Sequence, residues 1–418
     1  MQTSLVSYQT KVESPFVKLQ IGDYTFGHCQ RNVDRIKLSS LLKITYPNYI
    51  VSLNVKKING AINTYTIRMQ YAITENDDPN MLERVFSSIS NTRIITISYG
   101  DWMLPNYIYK NEECILTKIT SNVDFNNSKI DYTLTAVSNS LNLTSGNHSF
   151  PGGKYKPSDL IKKILKDETY GLLDIFYGMR NLSEDKLNQL IVGNDATIEL
   201  KAQNNVSILT YINYLVSCMC TKEDVTSNDL KTSRYYWATY DDISNEYSGP
   251  YFKVINVPAN AKYNLAYNCY EVDIGYPTGN FISSFTIDNN ESWSILYNHS
   301  NQVSTSEYVY DIDNDGNMSM KYSPLITTSA KYGETTAASR AWWSNMTQYP
   351  ISAKITLKGL LKPALLMSYV KVNAYFYGKK HISSGLYIIT KQEDQIDSNG
   401  YKTTLSITRI SGDETYDL

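Results

Sequence analysis

His381-Ile-Ser-Ser-Gly-Leu-Tyr-Ile-Ile-Thr390 and Gly400-Tyr-Lys-Thr-Thr-Leu-Ser-Ile-Thr-Arg409 flank a polar stretch that holds Asp394 and Asp397. Both segments are rich in β-branched residues and Tyr, which suit a pleated, half-buried surface. The second alternates apolar and polar positions with the two-residue period of a strand. Strands are therefore predicted over residues 384–391 and 402–410. Working outward, Val370-Lys-Val-Asn-Ala-Tyr-Phe-Tyr377 and residues 351–358 read the same way, with Gly359-Leu-Leu-Lys-Pro-Ala-Leu365 between them. The chain thus ends in four strand-like pieces.

Upstream, residues 336–348 predict a helix with Ala337, Ala338, Ala341, Trp342 and Met346 available for one face. A hairpin is predicted in Tyr308–Tyr322 around Asp315-Gly316, and strands over 233–241, 250–256, 267–274 and 283–287. Residues 154–225 change period. Leu160, Ile161, Ile164 and Leu165 mark one helix, with Ser158 or Asp159 near its N-cap. Leu209, Ile212, Val216 and Met219 mark a second helix over 205–220, and 194–201 alternates like a strand. The composition break at Leu143-Thr-Ser-Gly-Asn-His-Ser-Phe-Pro-Gly-Gly153 reads as a linker.

The first 150 residues are again strands around one helix. Residues 44–55 and 64–73 are expected to pair as a hairpin about Asn59-Gly60, both turn residues taking positive φ. Met81, Leu82, Val85, Phe86 and Ile89 trace a helix face behind the start signal Asp77-Asp78-Pro79. Strands follow over 93–101, 113–123 and 130–138. The expected class is mainly β with an α+β insert: two barrel- or sandwich-like domains, each with a flanking helix, around a small α+β domain. The boundaries read as 1–146 for the first barrel, 147–225 for the α+β unit, 226–335 for a β-rich part of unassigned fold, and 336–418 for the strands completing the second barrel. Strands, one helix, then strands occur at both ends of the chain.

The chain has 418 residues, 39 basic against 41 acidic, and a net charge of −2. That balance excludes a strongly basic nucleic-acid binder and an acidic tail. With 36 Tyr against 10 Phe and 5 Trp, its aromatic surface suits contacts that present one polar edge. The opening residues lack a basic region followed by an apolar core, so no secretory leader is expected. No stretch approaches the roughly 18 apolar residues of a membrane span. Cys29, Cys114, Cys218, Cys220 and Cys269 form an odd, scattered set, which suits a reducing compartment at synthesis rather than a disulfide framework.

Candidate chemistry is sparse. His28, His148, His299 and His381 are isolated, and none stands at zinc-ligand spacing from another His or Cys. Cys218-x-Cys220 lies in a predicted helix, where the two side chains point apart. Asp311, Asp313 and Asp315 before Gly316 match the first half of a calcium loop, but Tyr322 occupies the position of the bidentate acid. An Asp-Gly hairpin turn with solvated carboxylates is the favoured reading, with a weak cation site as its alternative. Glu112-Glu113 is an adjacent acid pair with nothing nearby in sequence to mark a sugar cleft. No phosphate-binding glycine loop, nucleophile elbow or His-Glu-x-x-His is present. No catalytic, cofactor-binding or metal-binding residue is assigned.

Ser384, Gly385 and Tyr387, then Gly400, Tyr401, Thr403, Leu405 and Arg409, resemble the closing barrel of the baseplate hub proteins of bacteriophage tails, a family related to the N-terminal part of VgrG proteins. Ile407 replaces the family's second Leu. Ile95-Thr-Ile-Ser-Tyr-Gly100 resembles the strand closing the family's first barrel, and the helices near Ser158 and Asn205 resemble its middle domain. The resemblance implies two tail-tube-like barrels and a structural, non-enzymatic virion protein without cofactor. Its expected state is a homotrimer whose six barrels join a three-fold spike to a six-fold tail tube. Expected partners are a tube protein, a spike or needle protein, and baseplate wedge or distal-tail subunits, with assembly in the host bacterial cytoplasm. The competing reading is a carbohydrate- or receptor-binding β module using Tyr235-Tyr236-Trp237 and Trp342-Trp343 as stacking platforms. A cell-wall hydrolase would need a buried acid or metal cluster that the sequence alone does not assemble.

Overall fold

The computed structural model describes residues 14–29, 43–89, 93–101, 110–226, 233–258, 269–274, 282–289, 308–312, 318–322, 351–357, 366–381 and 383–412. The first part of the chain folds into β1 (Pro15–Ile21), β2 (Tyr24–Cys29), β3 (Tyr46–Pro47), β4 (Ile50–Ile58), β5 (Thr64–Ala72), α1 (Met81–Ser87), β6 (Ile94–Asp101), β7 (Lys110–Asp124) and β8 (Lys129–Ser138). They pair in the order β4-β5-β8-β7-β6-β1-β2-β3. Because β3 runs within three residues into β4, the ladder returns on itself and makes a barrel. Asn48 N–H donating to Gly27 O at 2.9 Å and Gln70 N–H to Tyr49 O at 2.8 Å complete the closure. Strict alternation fills the interior: Leu53 and Val55, Tyr65, Ile67 and Met69, and Tyr132, Leu134 and Ala136 all point inward.

Helix α1 lies where its apolar face predicts, with Leu82 and Val85 buried against the barrel. Its start is two residues later than the Pro79 signal, because Asp77 and Asp78 build the preceding turn instead. Asp77 accepts from Thr74 N at 2.8 Å, and Asp78 from Asn80 N at 3.0 Å. The Asn59-Gly60 hairpin is present but is not a two-residue turn. Lys56 pairs with Thr64, so the connection is longer, and only Gly60 of the two takes positive φ, +69°. The loop is spent on tertiary bonds: Asn59 N donates to Thr390 O at 3.0 Å and Gly60 N to Trp237 O at 2.8 Å.

The middle unit holds β9 (His148–Phe150), β10 (Gly153–Tyr155), α2 (Pro157–Lys166), α3 (Glu184–Leu190), β11 (Ile198–Leu200), β12 (Gln203–Val206) and α4 (Ile208–Cys218). The expected linker at 143–153 is ordered structure, because its two apolar residues have places in the core. Leu143 is buried, and Phe150 stacks on Tyr211 with centroids 3.7 Å apart. Helix α2 is capped from outside its own sequence, Ser158 N–H donating to the Asp195 carboxylate at 2.9 Å. The same core takes Tyr235, Trp237, Phe252 and Val254 from the antiparallel pair β13 (Arg234–Tyr240) and β14 (Tyr251–Val257).

The remaining strands are β15 (Cys269–Ile274), β16 (Ile282–Asn289), β17 (Tyr308–Ile312), β18 (Met318–Tyr322), β19 (Ile351–Leu357), β20 (Tyr369–Phe376), β21 (Lys379–Lys380), β22 (Gly385–Asp397) and β23 (Gly400–Gly412). β17 and β18 form the expected hairpin. The helix expected over 336–348 lies outside the described residues. The order β16-β19-β23-β22, with β20 on the other edge of β22, repeats the order β4-β5-β8-β7-β6 of the first barrel. The two sets join into one sheet where β22 pairs antiparallel with β4. The chain is therefore mainly β, with an α+β unit inserted between two strand-rich parts.

Candidate functional site

The seam between the two strand sets is built by strands that change partner along their length. β3 closes the first barrel against β2 and runs on into β4, which gives residues 53–58 to β22. β22 pairs with β20 over 385–388 and then, past a bulge at Thr390, with β4 over 391–396. The inward phase of these strands carries Leu53 and Val55, then Lys57; on β22 it carries Ile396, Asp394 and Gln392. Apolar alternation thus gives way to charge at one end of the barrel.

Lys57 is buried and forms an ion pair with fully buried Glu112 of β7. Tyr99 O–H donates to the other oxygen of Glu112 at 3.3 Å. Asp241, one residue past β13, caps this barrel end. It accepts from Asn63 Nδ2 at 2.7 Å, Tyr65 O–H at 2.8 Å and Ser138 O–H at 2.5 Å. Its backbone carbonyl accepts from Glu113 N at 3.0 Å. Asp394 accepts from Gln392 Nε2 at 2.7 Å, Thr403 O–H at 2.7 Å and Tyr401 O–H at 3.2 Å.

Burial alone would drive the Lys57 ammonium toward its neutral form, but Glu112, then Asp241 and Asp394, reverse this and hold its pKa above the usual lysine value. Burial raises the Asp241 carboxyl, against the hydrogen bonds of Asn63 and Ser138 that lower it. Tyr65, Tyr99 and Tyr401 are pushed well up by burial and then by neighbouring carboxylates, Asp241, Glu112 and Asp394 respectively, so all three stay protonated donors. Every carboxylate here is met by donors on other strands. Such a network fixes how strands from four parts of the chain meet, and its buried atoms offer no opening to a substrate.

Glu112 and Glu113, adjacent in sequence, point to different surroundings. Glu113 is only half-buried, accepting from Asn139 Nδ2 at 3.1 Å and Tyr177 O–H at 3.4 Å, and burial raises its pKa. They do not face each other across a cleft. His148 packs edge-on against Tyr170, and His381 Nδ1 lies 2.8 Å from Ser383 Oγ. Cys114, Cys218 and Cys220 are buried and in no disulfide, and burial pushes the Cys218 thiol up to about 12. Asp311 is on β17, whereas Asp313, Asp315, His299 and Trp342-Trp343 lie outside the described residues. Among the described residues no group of three or more His, Cys, Asp or Glu is placed to hold a metal ion. Tyr235 and Trp237 are core residues, donating to Asn194 Oδ1 at 2.9 Å and Asn213 Oδ1 at 2.7 Å; they are not open to a sugar ring.

Sequence reading missed Lys57, Asp241 and Asp394. For Lys57 the available signal was phase: it stands at the inward position that follows Leu53 and Val55, both apolar.

No family model matches the chain, and no curated protein matches it in sequence. Solved structures do. A prophage MuSo2 43 kDa tail protein from Shewanella oneidensis aligns over 95% of this chain and 99% of its own, at 9% identity and a TM-score of 0.50. A tail protein from Neisseria meningitidis MC58 covers 95% and 97% at 8% identity and TM-score 0.49. A Francisella PdpA–VgrG complex covers 99% of this chain and 56% of that one, at 12% identity and TM-score 0.46. No helix among the described residues is long and apolar enough to cross a membrane. The resemblance read from the closing strands holds at the level of architecture: from the first barrel to the last hairpin, this chain has the fold of a phage tail protein.

Proposed function

We propose that this chain is a structural hub of a phage tail baseplate or tail tip, three copies of which form a ring that joins a three-fold spike to the six-fold tail tube. The observation that carries this reading is the repeated five-strand order, with the two sets joined edge to edge by β4 and β22 within one chain. A chain that holds two like units side by side presents six of them when three copies close about an axis, matching three-fold to six-fold symmetry. In this reading the chain turns over no substrate, and the buried carboxylates serve the seam. Its partners are a tube protein, a spike or needle protein, and surrounding wedge or distal-tail subunits. It acts in the virion after assembly in the host cytoplasm.

Light scattering on the purified chain over a range of concentrations tests the proposal. A species at three times 47.6 kDa is expected. A monomer that stays monomeric when the cognate spike protein is added would refute it.

A further inference from the structure

The repeat extends to single residues. In β7 the ladder with β8 shifts at Thr117, and in β22 the ladder with β23 shifts at Thr390. Both bulges sit in closely similar sequences, Ile115-Leu-Thr-Lys118 and Ile388-Ile-Thr-Lys391. The Thr117 hydroxyl donates to Thr135 O at 3.0 Å, and the Thr390 hydroxyl to Ser406 O at 3.3 Å. Just before each bulge, Leu116 N donates to Arg93 O at 2.9 Å and Ile389 N to Ser368 O at 3.0 Å. In each case the neighbouring strand, β6 or β20, ends its pairing there and leaves one edge of the long strand open beyond the bulge.

In β22 that edge is taken by β4. In β7 the equivalent edge, Lys118 to Val123, is paired with β8 on one side and with no described strand on the other. Thr120, Ser121 and Asn122 are exposed, and Val123 is 45% exposed, one of few large apolar side chains so placed among the described residues. The counterpart of β4 is β16, and among the described strands it pairs with β19 alone. Registers through β5 and β19 place Phe285 to Asn289 where Leu53 to Lys57 stand in the first set. Each chain therefore ends in two complementary edges whose own counterparts are already joined inside it.

We propose that β16 of one chain pairs antiparallel with the open edge of β7 in a second copy, in the register of the β4–β22 seam. Gln395 faces Asn54 within the chain, so Asn122 faces Thr286 of the neighbouring copy, and Val123 stands opposite Phe285. The contact is head-to-tail, and with a rotation of one third of a turn per copy its repetition closes a three-membered ring with no second kind of interface. This inference rests on the hub reading and specifies how its copies meet.

The test is an Asn122→Cys/Thr286→Cys chain, oxidised at the concentration where its mass is measured. Directly opposite antiparallel residues lie within disulfide reach. Covalent multimers on a non-reducing gel are expected from the double variant and none from either single variant or the parent chain. An Asn122→Cys/Asp288→Cys chain, two residues out of register, is expected to link on the order of tenfold more slowly, since its Cα atoms fall outside disulfide reach. A trimer by mass with no cross-link, or with equal linking from the offset pair, overturns the strand pairing and leaves the hub standing. A chain that stays monomeric at every concentration, also with the cognate spike protein added, overturns the pairing together with the hub reading.

Discussion

Lys57 shows how much a single side chain can be asked to do. Removing it by Lys57→Met leaves Glu112 buried without its cation, and breaking such a pair costs about 3–5 kcal/mol. Urea unfolding should show that loss, and Lys57→Met/Glu112→Leu should recover a large part of it. A variant that unfolds at the parental denaturant midpoint would contradict the role given to the pair. The pH dependence has a definite sign. Lys57, Tyr65, Tyr99 and Tyr401 all have folded-state pKa values above their ordinary ones. Their contribution is therefore complete below about pH 10, where the unfolded groups start to lose protons, and is lost as the pH climbs toward the folded values. Asp241, also raised, acts in the same direction at the acid end: it favours the fold below the ordinary aspartate pKa and loses that contribution as the pH rises through its folded value. A midpoint that falls steeply above pH 10 in the parent, and less steeply in Lys57→Met, is the expected titration.

At the scale of elements, the loop between β4 and β5 is where the barrel is fastened to the α+β unit. Gly60 O accepts from Asn213 Nδ2 at 3.1 Å, while Asn213 Oδ1 accepts from Trp237. A Cβ on Gly60 would lie 3.0 Å from Asn213 Oδ1, and φ is positive there. Gly60→Ala should thus cost about 1–2 kcal/mol from backbone strain alone, readable as a lowered thermal midpoint. Phe150→Ala, which empties the stack on Tyr211, should cost about 3–5 kcal/mol. These two positions also mark what the sequence yielded and what it withheld. The strands around Ile355, Val372 and Leu405 were legible because alternation is local. The ends of β22 were not: Gln392-Glu-Asp-Gln reads as a polar excursion until Lys57 and Tyr401 are beside it. Likewise Phe150 sits among Gly, Ser and Pro, and its place in a core is set by Tyr211, sixty residues away in the chain.

For the whole molecule, the open edge of β7 makes a prediction that leaves the fold intact. Of two adjacent strand residues, one directs its N–H toward β8 and the other outward. Ser121→Pro and Asn122→Pro should therefore differ: one disturbs the β7–β8 ladder, and the other only removes a donor from the open edge. The second kind is expected to shift the mass of the particle to that of a monomer with an unchanged circular-dichroism spectrum. If both leave the mass unchanged, β7 is not the contact. With net charge −2 and backbone pairing as the main bond, the assembly should also weaken little between low and moderate salt.

The fork in β4 has a mechanical consequence. The strand that closes the first barrel is, a few residues later, the strand that grips β22, so a pull across the seam travels along covalent backbone into the barrel wall. In the proposed ring both kinds of joint are crossed by backbone hydrogen bonds, but the seam within the chain adds the buried Lys57–Glu112 ion pair, whereas Asn289 stands at the Lys57 position between copies. Outward pressure on such a ring would open it first between copies.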